Sequence, residues 1–158
     1  MGSGTGRAAI ELAQRGASVL AVDPDAAMLD ILEVSATKQG LYDRIEKLQA
    51  HGEQLSSVGS SSMDCVTVFD AFHWLHREAA LREFHRVLKP RGVLALAWND
   101  LRLLETLGER MRVPRPNDRW RGAIASTGFF KPIQGCAQPM LLSHTFECAP
   151  ENLVSLCR

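Results

Sequence analysis

The sequence predicts an α/β layered domain on a mainly parallel sheet, from two features of its patterning. Short, almost continuously apolar runs recur at Ala17 to Val22, Asp64 to Phe69 and Gly92 to Trp98, the pattern of strands covered on both faces. Stretches of helical composition lie between them, and strand–helix alternation calls for parallel strands with right-handed crossovers.

In chain order, Arg7 to Arg15 (RAAIELAQR) is rich in helix formers and is followed by Gly16, the residue preferred just past a helix end. The apolar run Ala17 to Val22 stops at Asp23-Pro24 and reads as a strand. A second helix is expected from about Asp25, with Ala26, Ala27, Leu29, Ile31 and Leu32 on its apolar face and Gly40 as its latest stop. Ile45 to Ala50 is a strand candidate, and Ser56 to Ser62, with five Ser and one Gly, is a loop. After the strand at Asp64 to Phe69, Arg77 to Leu88 is a helix that turns Ala80, Leu81, Phe84, Val87 and Leu88 to one side. Lys89-Pro90-Arg91-Gly92 breaks it before the strand ending at Trp98. Beyond Asn99-Asp100 the pattern loosens, leaving a short helix at Leu101 to Met111, a strand at Met140 to Phe146 and a terminal helix at Glu151 to Cys157.

With 158 residues, 46% of them hydrophobic and 23% charged, the composition is that of one globular domain. Eighteen Lys plus Arg balance eighteen Asp plus Glu, so no global basic field favours nucleic acid or an anionic membrane, and neither is expected as a partner. The opening Met1-Gly2-Ser3-Gly4 lacks the basic and apolar regions of a secretory signal, and no apolar run is long enough to span a bilayer. A cytoplasmic location is therefore expected. Cys65, Cys136, Cys148 and Cys157 show no zinc spacing, and Cys65, inside an apolar run, is expected to pack as a small hydrophobe.

Gly2-Ser3-Gly4-Thr5-Gly6 stands immediately before the first helix. Glycines there let a ligand approach the backbone while N–H groups and the helix N-terminus face it, a setting for a carboxylate or phosphate. Asp23 follows the first apolar run, at the strand end where doubly wound folds place ligands, and its carboxylate can accept both hydroxyls of a ribose. A helix cap or turn before Pro24 would equally place an Asp there.

Together these segments resemble the class I S-adenosylmethionine-dependent methyltransferases, in particular the small-molecule group called methyltransferase type 11. Gly2 to Gly6 is similar to that family's first motif, and Ala21-Val22-Asp23-Pro24 to its second-strand acid. The resemblance continues through Gly52-Glu53-Gln54-Leu55, Asp64-Cys65-Val66-Thr67, Ala71-Phe72-His73-Trp74 and Arg86-Val87-Leu88-Lys89-Pro90-Arg91-Gly92. It is strong over residues 2–100 and loose over 120–158.

The resemblance implies a Rossmann-like, doubly wound, mainly parallel sheet in a single domain over 1–158, with 1–100 as the cofactor-binding core and 101–158 as the acceptor-side and C-terminal segment. It implies S-adenosylmethionine as cofactor and no metal. Gly2, Ser3, Gly4, Thr5 and Gly6 would border the methionine moiety, Asp23 and Pro24 the ribose, and Met28, His51, Gly52 and Glu53 the adenine. Asp70 and Ala71 would complete the cofactor site, and His73, Trp74 and Trp98 would face the acceptor, with His73 orienting it or taking its proton. His73 and Trp74 packing the strand end is the plainer alternative.

Departures from the family pattern carry their own expectations. Met1 stands where the family has an apolar strand and an acid, so the sheet is expected to lack its central strand, as in a truncated or misannotated chain. Its neighbours would then leave backbone groups unpaired. The family's last strand is expected to be incomplete at Arg158. His51 replaces a frequent acid near the adenine, and Arg91 replaces a turn glycine.

Three functions are compatible with these residues: methyl transfer to an unidentified small-molecule acceptor, a catalytically impaired fragment acting as a binding module, and a nicotinamide dehydrogenase. The last needs a glycine at position 7, which is Arg7. Oligomeric state is not legible.

Overall fold

A computed structural model describes residues 1–97 and 124–130. The expected alternation is present, as helix α1 (Arg7–Gln14), strand β1 (Val19–Asp23), helix α2 (Ala26–Lys38), strand β2 (Ile45–Gln49), strand β3 (Met63–Phe69), helix α3 (Arg77–Val87) and strand β4 (Leu88–Ala97). Single 3-10 turns at Tyr42–Arg44 and Phe72–Trp74 join them. Trp98, the expected helix at Leu101 to Met111, the strand at Met140 to Phe146 and the terminal helix at Glu151 to Cys157 lie outside the described residues.

Local chemistry sets the boundaries. The side chain of Asp25 accepts the Ala27 N–H at 2.9 Å and starts α2. That helix buries Leu29, Leu32 and Ala36, and this single narrow face leaves Ile31 half exposed and Ala26 and Ala27 in solvent, contrary to the broader face expected. In α3 the buried residues are Ala80, Leu81, Phe84 and Val87, as their spacing requires. Leu88 turns to extended backbone and opens β4 instead of closing the helix.

Both strand pairs are parallel. β1 and β2 run in register from Val19 opposite Ile45 to Asp23 opposite Gln49. β3 and β4 pair from Cys65 opposite Val93 to Phe69 opposite Ala97, after a first pairing of Met63 with Leu88. Between these, Lys89, Pro90, Arg91 and Gly92 bulge out opposite Asp64 alone. The break expected at Lys-Pro-Arg-Gly is thus a bulge inside the strand, with Arg91 in left-handed backbone at φ 69°.

The sheet is divided where the sequence led us to expect a missing strand. Among the described residues, β1–β2 and β3–β4 form separate two-stranded sheets. One core still links them: Val22 packs with Leu55, Val58, Val66, Val68, Phe72 and the buried face of α3, and Met1 and Leu20 border that cluster. A smaller core of Ala9, Ala13, Ala21, Leu32, Ala36 and Ile45 holds α1 and α2 on the first sheet.

Alternation along β3 sends Val66 and Val68 into the core and Cys65 and Phe69 outward. Cys65 is exposed, not packed as a small hydrophobe. Its thiol is pushed up by partial desolvation and then by the Asp64 charge, which makes it a poor nucleophile at neutral pH.

Candidate functional site

The glycine segment lies across the gap between the two sheets. The Met1 ammonium donates to the Thr67 carbonyl of β3 at 2.8 Å, and the Ser3 N–H donates to the Val22 carbonyl of β1 at 3.0 Å. Burial pushes that ammonium down to about 6, against an opposing pull from the Asp23 carboxylate. Gly6 N–H closes the turn onto the Ser3 carbonyl at 2.9 Å, and α1 begins immediately after.

Asp23 meets this segment directly. Its Oδ2 accepts the Gly4 N–H at 2.8 Å and its Oδ1 accepts the Asp25 N–H at 3.0 Å. The residue is only 8% exposed. Each oxygen of an ionised carboxylate has capacity beyond one bond, so the pair can still accept hydroxyls.

All three loop glycines have positive φ, and at two of them space as well as backbone requires glycine. Gly6 has φ 87°, and a β-carbon there would collide with the Leu32 side chain. Gly2 has φ 61°, and a β-carbon would overlap that of Ala71. Over Gly4 there is open space, with nothing within 4 Å of where a β-carbon would sit. The α1 N-terminus carries no side-chain cap and no acid in its first turn, so its field is left for a ligand. Ser3 Oγ is buried and unbonded, an orphaned polar atom in the same loop.

The remaining expected site residues fall into two groups. Ala71 packs on Gly2, and a β-carbon on buried Gly52 would lie 3.2 Å from Leu75 and 3.4 Å from the Met1 methyl. These join the loop to the far side of the gap. Asp70 is exposed in left-handed backbone at φ 54°, tied by its N–H to the Ala97 carbonyl at 2.8 Å. Glu53 Oε1 accepts the His76 N–H at 2.6 Å, which anchors it at the start of α3. Thr5 is half-buried, and Pro24 and His51 are exposed.

Among the described residues, no hydrogen bond or ring contact ties Met28, His73 or Trp74 to the loop. Met28 lies on α2 and is 39% exposed; Trp74 is 81% exposed, with its ring 4.9 Å from that of His73. Phe72, fully buried between them and Ala71, holds that turn in place. Trp98 is outside the described residues. No group of three or more His, Cys, Asp or Glu is placed to hold a metal among the described residues.

Sequence reading named Ser3 with the rest of the loop and missed the pair Glu83 and Arg86. The Glu-x-x-Arg spacing on a helix, three residues apart, was the available signal for the latter. The buried carboxylate, open backbone cradle and uncapped helix start suit a ligand that combines vicinal hydroxyls with an anionic or zwitterionic end.

Comparison with known proteins gives this donor set its context. The chain is 37% identical over 99 residues to an uncharacterized methyltransferase of Mycobacterium tuberculosis, covering 63% of this chain and 38% of that one. It is 28% identical over 96 residues to the tRNA 5-carboxymethoxyuridine methyltransferase of Escherichia coli K12, covering 60% and 37%. A crystal structure of a SAM-dependent methyltransferase from Methanosarcina mazei superposes with a TM-score of 0.56 at 28% identity, over 60% of this chain and 48% of that one. The chain therefore spans less than two fifths of the length of these curated relatives. Residues 1–96 match the family described as Methyltransferase domain, and the chain belongs to that family, the class I S-adenosylmethionine-dependent methyltransferases.

Proposed function

We propose that this chain holds S-adenosylmethionine between the Gly2–Gly6 loop and Asp23 and takes part in methyl transfer to a small-molecule acceptor. The observation that carries the reading is the 2.8 Å bond from Gly4 N–H to Asp23 Oδ2, which brings loop and carboxylate to one place. The orphaned Ser3 Oγ and the open space over Gly4 fit a ligand with hydroxyls and a polar amino-acid end. When bound, S-adenosylmethionine supplies an electrophilic methyl group on a sulfonium.

The chain's own residues do the positioning. Asp23 takes the ribose hydroxyls with its free lone pairs, and the loop N–H groups with the start of α1 face the carboxylate end. Pro24 and Met28 flank the ribose and adenine, and His51, Gly52 and Glu53 form the adenine side. Asp70 and Ala71 close the far wall. His73 orients the acceptor or takes its proton, and Trp74 and Trp98 line the acceptor side.

A second acceptor class has a specific observation behind it. The Escherichia coli relative is named for a modified tRNA nucleoside, and zero formal net charge does not by itself keep a local surface off RNA. Among the described residues no helix is long and apolar enough to cross a membrane.

Calorimetric titration with S-adenosylmethionine, S-adenosylhomocysteine and NAD tests the cofactor reading. Binding of the two adenosyl sulfur ligands without NAD is expected, and binding of NAD alone rejects it. Labelled methyl transfer into a small-metabolite fraction against total tRNA separates the two acceptor classes.

A further inference from the structure

The segment that carries His51, Gly52 and Glu53 is fastened to α3 at two places. At the helix start, Glu53 Oε1 accepts the His76 N–H. Nearly three turns further along, Arg86 spreads its guanidinium over the same segment: Nη2 donates to the Leu55 carbonyl at 2.8 Å, and Nη1 donates to the Val58 carbonyl at 2.8 Å and to Ser60 Oγ at 3.3 Å. Glu83 fixes the fork, accepting from Arg86 Nε at 2.9 Å and Nη2 at 2.8 Å. The same carboxylate takes the Leu55 N–H at 2.9 Å. Leu55 thus has both backbone polar groups held by one ion pair, and its side chain is buried in the core.

This pair differs from the other ion pairs of the described residues in being covered on both sides, whereas Lys47 meets exposed Asp30 and Glu33, and Lys89 meets exposed Asp64. Arg15–Glu11 and Arg82–Glu78 link exposed side chains on a single helix and are worth little. Glu83 and Arg86 are mostly covered, at 20% and 32% side-chain exposure, and their remaining donors and acceptors all reach backbone or hydroxyl atoms of residues 55–60. Arginine alone has a planar fork that can serve two carbonyls, a hydroxyl and a carboxylate at once.

We propose that Glu83 and Arg86 are positioning residues for the cofactor's adenine, setting the height and path of the 51–55 segment against the glycine loop. The inference rests on the S-adenosylmethionine reading above. Gly52 stands against Met1 and Leu75 with little slack, so a shift of Leu55 passes within three residues to the wall beside the loop. An open cleft of about 570 Å³ is lined by Glu53, Gln54, Ser56, Glu83 and Arg86. The guanidinium donors of Arg86 are committed to Glu83, Leu55, Val58 and Ser60, so the clamp acts through the segment.

Arg86→Lys keeps the charge and loses the fork. The 158-residue chain and this variant are titrated with S-adenosylhomocysteine and with S-inosylhomocysteine, which differs only at the purine edge. Wild type is expected to prefer the adenosyl ligand, and Arg86→Lys is expected to lose about tenfold in that preference, the size of effect that one misaligned hydrogen bond produces. Parallel loss of both affinities, loss of neither, or a wild type that binds both equally overturns the positioning role. A wild type that binds neither ligand overturns the cofactor reading instead. If Arg86→Lys melts too low to titrate, Glu83→Gln, which keeps one acceptor for Leu55, carries the same test with an expected loss of about threefold.

Discussion

Asp23 shows how one side chain can serve structure and ligand together. Its carboxylate is buried, bonded on one oxygen to Gly4 and on the other to Asp25, so it fixes the glycine loop before any ligand arrives. Asp23→Ala is expected to weaken S-adenosylhomocysteine binding by about 1.5–3 kcal/mol, the scale of hydrogen bonds to a charged group. Calorimetry measures it, and an unchanged dissociation constant would remove Asp23 from the site. At this scale the sequence was informative wherever backbone demands a particular residue. The Gly-rich loop, Asp23 at a strand end and Ala71 against Gly2 all occupy one region. It was silent on contacts that depend on distant partners, such as the hold of Glu83 and Arg86 on Leu55.

Among the elements, α3 joins the core to the candidate site. Phe84 is fully buried in the cluster that includes Val66, Val68 and Phe72, and Phe72 in turn anchors the turn bearing His73 and Trp74. Phe84→Ala is expected to destabilise the chain by about 3–5 kcal/mol through lost burial and a residual cavity. Urea unfolding measures this, and a loss below about 1 kcal/mol would mean that the site collapses around the gap. Periodicity located the buried face of α3 at Ala80, Leu81, Phe84 and Val87 because all four point at one sheet. It overstated α2, where Ile31 is half exposed, because apolar character alone does not say how wide a face its neighbours will cover. The bulge at Lys89 to Gly92 has a similar origin: Pro90 announces a break, but only pairing with β3 shows that the strand resumes in parallel register.

At the largest scale, the decisive feature of the described residues is the split between the β1–β2 and β3–β4 sheets, spanned at one end by residues Met1 to Ser3. Parallel strands were legible from the alternation of runs, whereas the groups that meet at the split were not, because they come from distant parts of the chain. One of them is charged. The Met1 ammonium donates to Thr67, and burial lowers its pKa from 8.0 to about 6. A cation with a depressed folded-state pKa binds fewer protons folded than unfolded in the interval between the two values, so stability rises with pH there. The 158-residue chain should therefore gain stability as pH increases from 6 to 8 and gain no more from this group above 8. Acetylating the amino group removes the titration while keeping an N–H donor. Thermal melting of both forms from below pH 6 to above pH 8 isolates the amino group from everything the two forms share. A constant difference in Tm across that interval would mean that the amino group is solvated and that the contact between Met1 and β3 does not form in solution.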